Sequence, residues 1–131
     1  MKASKYRLAL FSENPDALEQ FYTGILGFKR TAKVETGEDY GYSVEIASGY
    51  KIWIAKHSRI LGKNKDPYRI MISIYVDAIE EYFENIRKRT EIIILEEPTL
   101  TCIGIPGEER YVGAFLDPDG NCVQMMQLTG K

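Results

Sequence analysis

The side chains best suited to catalysis or metal binding are few in this sequence, and they do not cluster. The single histidine, His57, falls in a polar segment predicted to be a linker, where it is expected at the surface. Cys102 and Cys122 fall in predicted strands without a neighbouring CxxC or Cys/His set, so both are expected to be buried, reduced thiols. Glu45 has no evident acid–base partner, and no nucleophile, base and orienting group occur together. The residues alone favour a binding protein over an enzyme.

The composition is that of an ordinary globular protein. The 131 residues are 44% hydrophobic and 27% charged, which suits one compact domain or two halves sharing a core. A formal net charge of −2, without a run of Lys or Arg, argues against nucleic acid as a partner. No signal peptide is evident and no window approaches the ~20 apolar residues needed to span a bilayer, so we expect a cytoplasmic protein that binds no membrane.

The first part of the chain predicts a strand followed by a helix. Apolar residues alternate over residues 6–11, which is typical of a strand. Asn14 is a good N-cap, Pro15 suits the first helical position, and the apolar period becomes helical until Gly27. We therefore expect a helix over residues 15–26, followed by a short strand over residues 28–34.

A hairpin is predicted from residues 42–47 and 51–55 around Ser48-Gly49-Tyr50. A three-residue loop with a left-handed Gly49 would place Ile46 opposite Ile52 and Val44 opposite Ile54, which collects the apolar residues on one face. The other face would then carry the remaining side chains, namely Ser43, Glu45, Lys51 and Trp53.

The same order of elements then recurs after a predicted linker over residues 57–67. A strand is expected over residues 70–76, and Asp77 with Glu80 predicts a capping box that opens a second helix. Strands are expected over residues 92–101, 111–116 and 122–128. The sequence thus predicts an α+β fold in which residues 1–131 form one domain of two βαβββ repeats, about 4–56 and 68–129.

Three stretches of the chain resemble the vicinal oxygen chelate superfamily, which includes glyoxalase I, extradiol dioxygenases and bleomycin-resistance proteins. They are NPDALEQFY with ILGF, the strand ending YVD, and FLDPDGN. The resemblance implies two βαβββ modules that form a cupped mixed sheet with helices on its outer face. It also implies a homodimer, and a metal site in the metal-dependent members.

Alignment with those members puts Arg7, Trp53, Met71 and Gln124 at the four positions from which metal ligands project. Divalent metals in such sites require imidazole nitrogen and carboxylate oxygen. Arginine has no lone pair to give, the indole only donates, and a thioether or a neutral amide is a weak ligand. The resemblance therefore implies a member without a metal or other cofactor, closest in kind to the metal-free bleomycin-resistance proteins.

If the strand alternation holds, the cupped face carries aromatic, thioether and polar side chains that suit an aromatic or amphipathic small molecule. The predicted ligand-binding residues are Arg7, Phe11, Glu45, Trp53, Met71, Tyr75, Gln124 and Met126, with Ala9 and Ser73 between them. Sequestration of an antibiotic is the specific form of this hypothesis, and the loop over residues 103–110 is a candidate lid.

Two alternatives remain open at this level. The chain could be a metal-dependent lyase, isomerase or dioxygenase whose ligands are misaligned above. It could also be a non-catalytic interaction module in which Trp53 and Met71 fill the cup and Arg7 forms an ion pair with Glu45.

Overall fold

The computed structural model describes residues 1–102 and 105–130, which divide into two compact units, Met1–Lys63 and Asn64–Lys131. The first unit contains β1 (Leu8–Phe11), α1 (Pro15–Gln20), a π-helical turn (Phe21–Ile25), β2 (Lys29–Thr36), β3 (Asp39–Ala47) and β4 (Tyr50–Ala55). Its four strands form a mixed sheet in the order β1-β4-β3-β2, with β1 parallel to β4.

The second unit repeats this arrangement with β5 (Met71–Tyr75), α2 (Ile79–Arg87), β6 (Ile94–Thr101), β7 (Arg110–Leu116) and β8 (Cys122–Leu128). The sheet order is β5-β8-β7-β6, and β5 is parallel to β8. The predicted α+β class with two βαβββ modules is therefore confirmed, each module having a four-stranded mixed sheet of its own. In the described part of the chain, no helix is long and apolar enough to cross a membrane.

The start of α1 is the one expected from the sequence. Asn14 Oδ1 accepts a hydrogen bond from the amide of Ala17 at 3.2 Å, and Pro15 is the first helical residue. The helix packs on β3 and β4 through side chains that include the fully buried Leu18. Its last turn is π-helical rather than α-helical, and the chain leaves it through Gly27 at a φ of +78°.

The start of α2 differs from the expected capping box, so that prediction is wrong. Ala78 occupies the N-cap position and no side chain of the first turn caps it. Instead, Oε1 of Gln127 in β8 accepts a hydrogen bond from the amide of Ile79 at 2.8 Å. An acceptor 48 residues away satisfies the buried amide, and local sequence rules cannot identify it.

The register predicted for the first hairpin is also wrong. The loop has two residues, Ser48 and Gly49, and the pairing shifts between Glu45 and Ala47. This bulge leaves Ile46 out of the ladder and places Val44 opposite Ile52, so that both side chains are buried on the same face. The extra residue Ile46 thus allows a two-residue turn while the apolar side chains stay on one face. Gly49 has the expected left-handed φ of +79°.

The second hairpin turn is organised by a buried carboxylate, that of Asp117. Its Oδ1 accepts hydrogen bonds from the amides of Asp119 and Asn121, each at 2.9 Å, and its Oδ2 accepts one from Asn121 Nδ2 at 3.0 Å. Gly120 supplies the left-handed position at a φ of +80°. The amide of Asn64 donates to the carbonyl of Asp119 at 2.7 Å, which fixes the start of the second unit to this turn.

The two cysteines lie in different environments, and both are free. Cys122 is fully buried in β8, as expected, and burial raises the pKa of its thiol. Cys102 is exposed beyond the end of β6, so the prediction of a second buried thiol is wrong. The strand ends at Thr101, so Cys102 lies outside the sheet.

Candidate functional site

The sheet of the first unit presents Trp53 on the face opposite α1. Ile52 and Ile54 point to the buried face, whereas Trp53 between them is half-buried and pairs with Ala9 and Ser43 on its two sides. The guanidinium carbon of Arg7 lies 5.4 Å from the centroid of the indole. This cation–π contact covers part of the indole face with a cation from the same chain.

Phe11 and Glu45 lie at other points of the same face. Phe11 is 38% exposed and its ring meets that of His57 edge-on, with centroids 5.0 Å apart. Glu45 lies opposite Lys51 in the register of the hairpin. Within residues 1–102 and 105–130 no ion pair joins Arg7 to Glu45, so the ion pair of the filled-cup alternative is not formed.

The corresponding face of the second unit carries the other four predicted residues on the parallel pair β5 and β8. Met71 and Tyr75 on β5 are 36% and 56% exposed. Gln124 on β8 accepts a hydrogen bond from Ser73 Oγ at 3.1 Å through its Oε1, and Met126, the partner of Tyr75, is buried. The structure thus brings Met71, Tyr75, Gln124 and Met126 onto one sheet face.

A cavity of about 280 Å³ opens beside this face, at the end of β5. Three strand residues and two residues of the segment that leads into α2 surround it, and the lining residues are Tyr75, Val76, Asp77, Gln127 and Leu128. Tyr75 is the predicted ligand-binding residue that lines it. Asp77 was expected only in a capping box and Gln127 was not singled out, so the cavity could not be located before the position of Gln127 at the helix start was known.

Arg110 is a further residue that the sequence reading missed. It is 8% exposed, pairs with Leu128 in the ladder, and lies on the same face of β7 as the buried Val112 and Ala114. Its Nη1 donates to the carbonyl of Glu108 at 3.0 Å and to the Glu108 carboxylate at 3.2 Å. Its Nε is buried and has no acceptor among the described residues. The alternation of side chains along β7, which gives Arg110 the same orientation as Val112 and Ala114, was the signal that could have identified it.

The loop predicted as a candidate lid is only partly described, because Ile103 and Gly104 lie outside the described residues. The remaining part turns back at Glu108, whose amide donates to the carbonyl of Ile105 at 3.1 Å. Thr129 donates to the carbonyl of Glu109 through its amide at 3.0 Å and through its hydroxyl at 3.1 Å. These bonds attach the loop to the chain end that follows β8.

The most perturbed titrating groups lie on the opposite, helix-facing side of the first sheet. Tyr40 and Tyr42 both donate hydrogen bonds to Asp16 Oδ1, at 2.6 and 2.5 Å. These bonds lower the pKa of the Asp16 carboxyl and raise the pKa of Tyr42 well above its usual range. Because Asp16 belongs to α1 and both tyrosines to β3, the cluster joins helix to sheet and is not part of the exposed face.

The four positions that the resemblance aligns with metal ligands do not fit a divalent ion. Such ions require imidazoles and carboxylates. These positions hold instead the Arg7 guanidinium stacked on the Trp53 indole, the exposed thioether of Met71, and the Gln124 amide, which is already hydrogen-bonded to Ser73. Across residues 1–102 and 105–130, no group of three or more His, Cys, Asp or Glu side chains is arranged to hold a metal. We therefore derive no step that passes through a metal.

The fold and these faces define a class of small proteins built from paired βαβββ modules. The model of the Glyoxalase/Bleomycin resistance protein/Dioxygenase superfamily matches residues 6–125, which is most of the chain, and the protein belongs to this superfamily. No curated protein matches the sequence at a significant level.

Solved structures of similar fold come from several bacteria. A superfamily member from Sphaerobacter thermophilus has 16% identity and a TM-score of 0.72, over 96% of this chain and 98% of that one. A virulence protein from Salmonella typhimurium has 18% identity and a TM-score of 0.72, over 98% and 100%. TnmS3, an antibiotic binding protein from Streptomyces sp. CB03234, has 15% identity and a TM-score of 0.70, over 98% and 99%. At these identities the likeness concerns the fold.

Proposed function

We propose that this protein binds a small aromatic or amphipathic organic molecule without the help of a metal. The observation that carries the proposal is the cavity of about 280 Å³ beside the exposed ring of Tyr75. Pockets for small molecules are mostly apolar concavities with a few polar groups that fix orientation. Two aliphatic side chains, one phenol, one amide and one carboxylate line this cavity, so a larger share of its lining is polar than is usual.

The remaining predicted residues extend the surface available to a ligand. Met71 is an adaptable thioether beside the pair formed by Ser73 and Gln124, and it suits contact with a flat ring. In the first unit, the stacked pair of Arg7 and Trp53 offers a second surface that is both aromatic and cationic. We assign ligand contact to both faces, and the experiments below test them separately.

Sequestration of an antibiotic is the form of this activity that we propose first. Its support is the family, which includes bleomycin resistance proteins by name, and the fold shared with TnmS3, which is described as an antibiotic binding protein. A sequestering protein needs affinity and no chemistry, which agrees with a site that holds an amide where metal-dependent relatives hold a carboxylate.

A thermal-shift screen against aromatic and cationic antibiotics tests the proposal. A ligand at 100 times its dissociation constant should stabilise the protein by about 2.7 kcal/mol, and EDTA should leave the shift unchanged. Tyr75→Ala and Trp53→Ala should each reduce the shift if both faces take part. Tyr50→Ala is the matched control, because Tyr50 is a strand tyrosine that is 69% exposed outside the predicted site. If no compound stabilises the protein, or if EDTA abolishes the shift, the proposal is wrong.

We further propose a homodimer, as the resemblance to the superfamily implies. Several large apolar side chains outside the predicted site are exposed, including Ile70 at 65%, Ile93 at 60% and Leu61 at 84%. A partner subunit commonly covers exposed apolar side chains where they form a continuous patch. Light scattering coupled to size-exclusion chromatography should give twice the 15.0 kDa mass of the chain, and a single-chain mass at micromolar concentration would contradict the dimer.

A further inference from the structure

We propose that the cavity lined by Tyr75, Asp77 and Gln127 selects ligands that carry a protonated amine next to an aromatic ring. This inference rests on the proposed function and specifies its ligand class. The cavity has a volume of about 280 Å³, which is just below the ~300–1,000 Å³ typical of small-molecule pockets. Such a volume accommodates one ring with a short substituent, so the cavity recognises either a small ligand or one end of a larger one.

The charge in the cavity comes from Asp77, which is the charged member of the five lining residues. Within the described part of the chain its carboxylate has no ion pair and no side-chain hydrogen bond, although other carboxylates of the second unit do have partners. Glu80 pairs with Arg87 at 2.9 Å, and Glu108 pairs with Arg110 at 3.2 Å. The nearby cation Arg110 is thus already balanced, while Asp77 remains available to a positively charged ligand.

The aromatic wall favours the same ligand. The ring of Tyr75 is 56% exposed, and no cation or ring of the described residues lies over it. Trp53 in the first unit differs in this respect, because Arg7 already covers its face. An ammonium group beside Asp77 would therefore find a free aromatic face within the same cavity, and aromatic faces attract cations.

An anionic ligand is disfavoured at this position. It would approach the exposed Asp77 carboxylate without a compensating cation in the lining, and like charges at short distance repel each other. The carbonyl oxygen of the Gln127 amide is already an acceptor for the backbone of Ile79. That bond holds the cavity wall in place, and it leaves the carboxylate as the group that determines which charge is accepted.

Three probes of nearly equal shape but different charge test how ligand charge affects binding. They are benzylamine, benzyl alcohol and benzoate. Their binding is measured on the full chain at pH 7 by chemical-shift titration of backbone amides. We expect benzylamine to bind about tenfold more tightly than benzyl alcohol and to shift the amide signals of Val76, Asp77 and Leu128. Benzoate should bind most weakly of the three.

Variants then assign the effect to residues. Asp77→Asn should weaken benzylamine binding by about tenfold and leave benzyl alcohol unchanged, whereas Tyr75→Leu should weaken both. Glu84→Gln, which removes an exposed carboxylate of α2 outside the cavity, should change neither. Unchanged spectra of the variants away from the substituted residue verify that they fold.

The outcomes distinguish this inference from the function on which it rests. Equal binding of amine and alcohol, insensitive to Asp77→Asn, overturns the amine preference but leaves small-molecule binding intact. Preferential binding of benzoate overturns it as well. If the screened antibiotics stabilise the protein while no probe shifts the cavity amides, the cavity is not the recognition site. If neither probes nor antibiotics bind, the proposed function itself fails.

Discussion

The two halves of the chain repeat one order of strands and helix, but different contacts stabilise the helix start and the last hairpin in each half. In the first half α1 is capped by the adjacent Asn14, and the last hairpin closes with a two-residue loop. In the second half α2 is capped by Gln127 from a distant strand, and the last hairpin is organised by the buried carboxylate of Asp117. The start of the helix is therefore fixed by a local contact in the first half and by a contact distant in sequence in the second, while the second hairpin differs from the first by its buried carboxylate.

The difference has a consequence for the candidate site. The segment before each helix is bonded to its sheet, through Ser12 in the first half and Val76 in the second, but only the cap from β8 also places Gln127 beside Asp77. The cavity lies at this junction. We infer that the attachment of the helix start to β8 shapes this cavity.

The largest effect is expected from the second hairpin turn. Asp117→Ala should lower the free energy of unfolding by about 2–4 kcal/mol, because it leaves two backbone amides and the Asn121 side chain without their acceptor. Ser48→Ala in the first hairpin should change it by less than about 0.5 kcal/mol, because Ser48 is exposed. Urea denaturation of both variants measures the difference, and equal losses would contradict the contrast between the halves.

The two helix caps give the next largest effect. Gln127→Ala leaves the buried amide of Ile79 without its acceptor and should cost about 1–3 kcal/mol. Asn14→Ala should cost about 0.5–2 kcal/mol, as is usual for a local N-cap. Both are measured by urea denaturation.

A second readout separates the two caps more clearly. Gln127→Ala should also weaken ligand binding at the cavity, since this residue lines it, whereas Asn14→Ala should leave binding unchanged. If both variants bind ligand like the parent protein, the cap from β8 does not shape the cavity.

Much of the fold could be predicted from the sequence because its signals are local. Asn14 and Pro15 mark a helix start, Gly49 and Gly120 mark reversals with positive φ, and alternation marks the strands. The register of the first hairpin could not be predicted, since a bulge at Ile46 satisfies burial and turn geometry together. The start of α2 could not be predicted either, because its acceptor comes from the far end of the chain.

The candidate site divides along the same line. Strand alternation correctly placed the side chains of Trp53 and Tyr75 opposite those of Ile54 and Ile74, which are buried. Asp77 was assigned to a capping box because its spacing from Glu80 fits one, and this local reading concealed its place in the cavity. Whether any of the eight predicted residues contacts a ligand stays a prediction until the variants above are measured.

The smallest effect is expected at the link between α1 and β3 in the first half. Hydrogen bonds from Tyr40 and Tyr42 lower the pKa of Asp16 in the folded protein below the 3.8 of an unperturbed carboxyl. A lowered folded-state pKa contributes stability that is present above about pH 4 and is lost as the pH falls through the folded-state value. Asp16→Asn should therefore be less stable than the parent protein at pH 6, and this gap should close as the pH approaches 2.

Urea midpoints of both proteins between pH 2 and 6 measure the gap, with Glu84→Gln as the control for loss of an exposed carboxylate. Because Asp16 is exposed, solvent screening weakens its hydrogen bonds. The loss of stability should therefore be smaller than the losses expected from substitution of Asp117 or Gln127, whose hydrogen bonds involve buried groups. A gap that stays constant down to pH 2 would show that the two tyrosines do not favour the ionised carboxylate. The first half would then owe the start of its helix to Asn14 and to apolar packing, without an electrostatic contribution from β3.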